Sequence, residues 1–199
     1  MLRWLSRDFL NERLVPELEF GTVQYFDHLR RYLFAQQYVA ERYVLEIACG
    51  TGYGADILRR GHAQEVFSLD ISLPALRYAQ QLRPVGSYAC ADALDLPLGQ
   101  QSFDVIISFE TLEHLPNPQR FLHEALRVLR PGGMLILSTP NRAVVSPGST
   151  TPFSPYHSFE PTLEELRSLL TTSGWQIEAL HGMMHSPAAA PLAQPAQGP

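Results

Sequence analysis

The chain predicts an α/β fold: a doubly wound, mostly parallel sheet with helices on both faces. Three observations carry this. Short apolar runs alternate with helical patterns along the chain, the order that βαβ units require. The run Val105-Ile106-Ile107 has no polar alternation, as in a strand buried on both faces. A glycine-rich segment, Gly50-Thr51-Gly52-Tyr53-Gly54, falls between a strand pattern and a helix pattern.

Taken in order, residues from about 22 to 40 read as a helix, with Thr22 as cap and Phe26, Leu29, Leu33 and Phe34 on its apolar side. Tyr43–Ala48 reads as a first strand, and a helix from Tyr53 to Arg60 ends at Gly61. Glu65–Asp70 is a second strand, and Pro74 opens a helix reaching Leu82. Tyr88–Ala91 is a short third strand and Phe103–Phe109 a strong fourth. A helix from Pro118 to Leu129 is expected to stop at a tight turn, Arg130-Pro131-Gly132-Gly133, before a fifth strand, Met134–Ser138. Thr162 with Glu165 is a capping-box pattern, Gly174 closes that helix, and Trp175–Leu180 is expected as a sixth strand.

A length of 199 residues suits one domain, and a hydrophobic content of 45% suits a folded one. The net charge of −5 argues against a nucleic-acid partner, which calls for a basic face. Cys49 and Cys90 form neither a disulfide framework nor a zinc pattern, and no metal is expected. All 15 basic side chains are arginine. Lysine-dependent chemistry, from Schiff bases to P-loop and protein kinases, is therefore excluded. Charges near Met1 interrupt any signal-peptide run, and no stretch approaches the ~18 apolar residues of a membrane span. A cytoplasmic protein without a membrane span is the expectation.

In a doubly wound sheet, ligands sit outside the carboxyl ends of the strands. Gly50, Gly52 and Gly54 lie there, where a backbone without Cβ atoms can approach a ligand closely. About twenty residues further on, Asp70 ends the second strand, where a carboxylate can accept from both ribose hydroxyls of a nucleoside. The third glycine comes one residue too early for the dinucleotide fingerprint, which counts against a nicotinamide cofactor.

The segment Val44-Leu45-Glu46-Ile47-Ala48-Cys49-Gly50-Thr51-Gly52-Tyr53-Gly54 resembles the first motif of class I S-adenosylmethionine methyltransferases, with Ala48 where a glycine is typical. Ala91–Pro97 resembles their adenine-contacting segment. Phe103–Leu115 resembles the strand-four motif, and Arg127–Gly133 the turn before strand five. These motifs occur in family order, and together they resemble the type 11 methyltransferase domain, which includes ubiquinone and menaquinone biosynthesis enzymes.

The resemblance implies a Rossmann-like fold and S-adenosyl-L-methionine as cofactor. Glu46 and the backbone of Ala48 and Gly50 would hold the methionine end, with Thr51 and Gly52 completing the turn. Asp70 would take the ribose, Ile71 would pack on the adenine, and Asp92 with the Ala93 backbone would meet its edge. Phe109 and Glu110 would line the wall near the methyl group. Candidates for a catalytic base are Glu110, His114 and His157, beside Glu113 and His28. His157 sits in Pro155–Glu160, which partly resembles an acceptor-side segment of the family. Each candidate could instead be structural. The leading helix would lid the cofactor, through Tyr25, His28, Arg31 and Tyr32, or lie amphipathic on the surface.

The expected organisation is a helical lid segment over 1–41, a methyltransferase domain over 42–185 and an Ala/Pro-rich tail over 186–199. A seventh strand is not evident. Either the chain is truncated, the sheet stops at six strands, or Gly182–Ser186 forms a minimal substitute. The implied function is methyl transfer to a small-molecule, lipid-precursor or sugar acceptor. The rivals are a non-catalytic relative of the same fold and a nicotinamide-dependent oxidoreductase.

Overall fold

The computed structural model describes residues 13–84 and 86–183. The expected tail and the first 12 residues of the lid segment lie outside the described residues, as do the last three of Gly182–Ser186. A short helix α1 (Pro16–Glu19) precedes α2 (Val23–Ala35), whose cap Thr22 accepts from Tyr25 N. There follow β1 (Tyr43–Ile47), α3 (Tyr53–Arg60), β2 (Glu65–Asp70), α4 (Leu73–Leu82), β3 (Ser87–Cys90) and β4 (Phe103–Phe109). The chain continues through a 3-10 turn (Leu112–His114), α5 (Pro118–Val128), β5 (Leu129–Ser138), α6 (Arg142–Val145) and α7 (Leu163–Thr172). The Thr162/Glu165 capping box is formed as expected.

The five strands are all parallel, in the order β3-β2-β1-β4-β5. From β1 the sheet grows outward to β2 and β3 on one side and to β4 and β5 on the other. The edge between β1 and β4 is thus the topological switch point, where such sheets bind ligands. Strand pleating divides the core in two. Leu45, Ile47 and Ile106 pack with Phe121, Leu122, Ala125 and Val128 of α5 on one face. Val44, Val66, Val105 and Ile107 pack with Tyr32, Ala35, Ala55 and Leu58 of α2 and α3 on the other.

Three expectations need correction. The first helix is α-helical only to Ala35 and continues as a 3-10 turn over Gln36–Tyr38. Arg130–Gly133 lies inside β5: Leu129 pairs with Phe103 and Met134 with Val105, so the Pro-Gly-Gly stretch bulges out of a ladder that resumes beyond it. No sixth strand forms at Trp175–Leu180. Trp175 and Ile177 alternate in burial with exposed Gln176 and Glu178, and they pack on the α5-side core. The Trp175 indole donates to the Leu122 carbonyl. These contacts cover one side of the segment without a strand ladder. Among the described residues the sheet has no strand after β5, whose Met134–Ser138 stretch is only half-buried. No described helix is long and apolar enough to cross a membrane.

The approach of α3 to the sheet depends on Gly54. A Cβ there would run into Glu46 Oε1 and the Tyr32 ring. Gly54→Ala is expected to destabilise the fold by about 1–3 kcal/mol, the cost of overpacking a closed site. Chemical denaturation of both proteins measures it.

Candidate cofactor and acceptor site

β1 delivers the glycine turn to the switch point. Gly52 N donates to the Cys49 carbonyl at 2.9 Å, closing the turn. Gly50 N donates to Asp70 Oδ2 at 2.8 Å, and Asp70 Oδ1 accepts from Ser72 N at 2.8 Å. Asp70 therefore pins the turn to the end of β2, and the Arg13 guanidinium stands 4.0 Å from its other oxygen. A Cβ on Gly50 would meet nothing within 4 Å, whereas one on Gly52 would press on Ala79. The space beside Gly50 is the opening of the turn.

Thr51 faces inward: its hydroxyl donates to the Leu14 carbonyl at 2.9 Å, and its own carbonyl accepts from Arg83 at 3.0 Å. Arg83 also pairs with Glu17 at 2.7 Å and Asp56 at 3.3 Å. One side chain thus ties α1, the turn and α3 to the end of α4. Sequence reading missed this clamp, because nothing local distinguishes Arg83 from any arginine at a helix end. Next to Asp70, Ile71 is 67% exposed, an uncovered apolar side chain at the carboxyl edge. Asp92 is exposed and accepts from Leu94 N at 2.8 Å, and Ala93 is half-buried against the core. The structure thus brings Gly50, Asp70, Ile71 and Asp92 to one edge.

Glu46 lies beneath the turn, fully buried. Its two oxygens accept from the Tyr32 hydroxyl and the Ser68 hydroxyl, each at 2.7 Å. Burial pushes its pKa up to about 7, against the pull of those two donors. Tyr32 stacks edge-on against Phe109 at 5.1 Å and Tyr53 at 5.2 Å. His28 bonds the Tyr53 hydroxyl at 2.8 Å, and burial, aided by the Arg31 charge, lowers its pKa to about 4. Tyr25 packs instead on Phe20 and Phe26.

At the tip of β4, Glu110 holds a positive φ of 50°, and Ala48 at the tip of β1 holds 59°. Backbone strain in non-glycine residues thus flanks the switch point on both sides. Glu110 Oε1 accepts from the Ser138 hydroxyl at 2.6 Å and stands 3.1 Å from the Arg31 guanidinium. In the 3-10 turn, buried Glu113 accepts from the Thr139 hydroxyl at 2.9 Å. Burial and the nearby Glu110 charge push the Glu113 carboxyl well above the usual range. The 153–160 segment docks here through Ser158 N donating to the Glu113 carbonyl at 2.7 Å. His114 and His157 meet edge-on at 4.8 Å. His157 Nδ1 lies 2.6 Å from Oε1 of Glu160, whose side chain is fully buried. Burial pushes Glu160 up, but His157 and the Phe153 and Ser154 amides more than offset this and hold it below the usual carboxylate value.

A glycine turn at the switch point of a parallel sheet, with a carboxylate ending the second strand, defines a Rossmann-like nucleoside-binding protein. Comparison with known proteins narrows the class. The methyltransferase-domain family matches residues 45–137. A "probable S-adenosylmethionine-dependent methyltransferase" of Mycolicibacterium smegmatis is 36% identical over 181 residues, 91% of this chain and 70% of that protein. Another, of Mycobacterium tuberculosis, is 37% identical over 176 residues, 88% of this chain and 64% of the relative. The chain belongs to the S-adenosylmethionine-dependent methyltransferase family, and it spans 64% of the length of the latter relative. Among solved structures, the [4+2]-cyclase SpnF superposes with a TM-score of 0.64 at 26% identity, over 76% of this chain and 58% of that one.

The raised pKa of Glu46 gives a pH prediction. Its folded-state value, about 7, lies above the ordinary 4.5. Its contribution to stability is therefore full below about pH 4.5 and lost as pH rises through about 7. Thermal melts of Glu46→Gln against wild type should show the variant gaining on wild type from pH 5 to pH 8. A constant gap would mean that Glu46 does not change protonation there.

Proposed function

We propose that the chain transfers a methyl group from S-adenosyl-L-methionine to a small-molecule, lipid-precursor or sugar acceptor by in-line displacement. The observation that carries this reading is the edge where open Gly50, Asp70, exposed Ile71 and Asp92 meet, in a chain of methyltransferase ancestry.

The residues present fit that cofactor. The Gly50 cradle has room that a Cβ would fill, and a carboxylate and an uncovered apolar side chain stand side by side for a ribose and a purine. Asp70 would accept from the ribose hydroxyls, Ile71 would cover one adenine face, and Asp92 with the Ala93 backbone would take the adenine edge. Ala48, Gly50, Thr51 and Gly52 would offer backbone to the methionine end. Glu46, with both oxygens engaged, would act on that end through Tyr32 and the turn above it. The cofactor supplies a methyl group made electrophilic by a sulfonium, so that much of the rate can come from orientation in a water-poor cleft. Phe109 and Glu110 would wall the methyl group. Glu110, His114 and His157 are assigned to the acceptor side, where they hold or deprotonate its nucleophile.

SpnF supports a second reading. A relative of this fold whose name is a cyclase makes a cofactor-binding protein with other chemistry a real alternative, because function lives in the site and not in the scaffold. Transfer of label from S-adenosylmethionine across a panel of hydroxylated acceptors separates the two. Cofactor binding without transfer to any acceptor favours the second.

Asp70→Ala should weaken S-adenosylhomocysteine binding by on the order of 1–3 kcal/mol, about five- to 150-fold, in calorimetry. It should also lower the melting temperature, because the Gly50 and Ser72 amides lose their acceptor. Unchanged affinity would remove Asp70 from the cofactor site.

A further inference from the structure

The cofactor turn carries two glycines in left-handed backbone, Gly50 at φ 54° and Gly52 at φ 74°. Glycine takes either sign of φ at little cost, so such a turn keeps one shape only where its peptide units are held. Two units are held here. Asp70 accepts from the amide of the Cys49–Gly50 unit at 2.8 Å. Arg83 donates to the carbonyl of the Thr51–Gly52 unit at 3.0 Å. The Gly52 amide then donates to the Cys49 carbonyl at 2.9 Å and links the two units. Each unit is thus fixed at both ends, and the Gly50–Thr51 unit between them is oriented by its neighbours.

Arg83 can act this way because it is itself held. It caps α4, with its amide donating to the Ala79 carbonyl at 2.8 Å. Its side chain is buried. Nη1 serves Thr51, Nη2 donates to Glu17 Oε1 at 2.7 Å, and Nε stands 3.3 Å from Asp56 Oδ2. A planar fork meets such partners in fixed directions, which a lysine ammonium does not reproduce. Tyr78 donates to the other Glu17 oxygen at 3.0 Å.

Glu17 belongs to a strap, residues 13–19, with little apolar anchorage. No residue of α1 is buried. Leu14 and Val15 are buried just before it, and Val15 packs with Ala75 and Tyr78 in a small cluster apart from the two main cores. A segment with so few apolar contacts depends on its polar ones. Those lead to the turn: the Thr51 hydroxyl donates to the Leu14 carbonyl at 2.9 Å, and the Thr51 carbonyl is joined to Glu17 through Arg83.

We propose that Arg83 is a positioning residue for the cofactor, which sets the Thr51–Gly52 peptide unit for the methionine end in concert with Glu17 of the strap. This role rests on the methyl-transfer reading. Arg83 acts through Thr51: with Glu17 seated, the guanidinium is balanced between Glu17 and Asp56 and aims Nη1 at the turn. Without Glu17 it is drawn towards Asp56, and the Thr51 carbonyl loses its fixed donor.

The test is calorimetric titration of S-adenosylhomocysteine into the full chain and its variants, well below their melting temperatures. Amide exchange in the ligand-free proteins is followed by nuclear magnetic resonance alongside. Arg83→Gln should weaken binding about tenfold or more, and Glu17→Ala about threefold or more. The double variant should bind no more than about twofold worse than Arg83→Gln, because both changes act through one link. The Gly52 amide should exchange about tenfold faster in Arg83→Gln. Arg130→Gln, which breaks the Arg130–Asp104 pair at the amino edge of the sheet, controls for lost stability. It should lower the melting temperature and leave affinity and Gly52 exchange unchanged. If Arg83→Gln does not fold, Arg83→Lys takes its place with the same expectation. An Arg83 variant that melts lower yet binds within about twofold of wild type has lost a structural contact alone, and overturns the proposal. Wild-type affinity in Glu17→Ala overturns the concert with the strap. Wild type that binds while the Arg83 variants bind alike sinks the role of Arg83 alone. Wild type that binds no S-adenosylhomocysteine sinks the methyl-transfer reading, and the role of Arg83 with it.

Discussion

A buried carboxylate holds the two halves of the site together. Glu46 sits on the α2/α3 face of the sheet, where it receives one hydroxyl from α2 and one from β2. Through Tyr32 it fixes the angle at which α2 crosses the end of the sheet, and the same ring contacts Phe109 of β4. Gly54 lets the first turn of α3 settle directly on this pair. A charged group buried so deeply is costly, and its pKa rises accordingly. Its two short hydrogen bonds offset part of that cost and give the helix, the turn and the strand a single arrangement.

Around that anchor the site is kept open by strain and by clamps. Ala48 and Glu110, at the ends of the two strands that flank the switch point, both adopt left-handed backbone. Such conformations cost about 1–3 kcal/mol each and persist only where the surroundings over-determine them. Here the Glu110 amide is held by the Ser138 carbonyl, and the turn after Ala48 is pinned by Asp70 and Arg83. The chain can therefore turn sharply outward at both strands, leaving the edge between them for ligands. Arg31 links the leading helix to Glu110, so the side of the site assigned to the acceptor and the cofactor turn share one support.

How much of this was legible in the sequence depended on range. The glycine turn and Asp70 were readable because the chemistry is local: one strand, one turn and a carboxylate at a fixed distance. The elements from β1 to β4 were readable for the same reason, with ends displaced by a residue. Trp175–Leu180 forms no strand because its apolar side chains Trp175 and Ile177 are satisfied by packing on the α5-side core, which a loop does as well as a strand. Glu113, His114 and His157 could be named singly, but not as a cluster. Their assembly depends on the 153–160 segment folding back onto the turn after β4, a contact between residues more than forty positions apart. The Arg83 clamp was invisible for the same reason.

A nucleoside cofactor at the β1–β2–β3 edge, beside Gly50 and Asp70, would perturb the backbone amides around it. Chemical-shift mapping of those amides with S-adenosylhomocysteine is the measurement to make. The largest shifts are expected at Cys49–Gly54, at Asp70–Ser72 and at Asp92 and Ala93, with smaller ones at Phe109 and Glu110. Shifts confined to another face of the molecule, or none at saturating ligand in a folded sample, would contradict this placement.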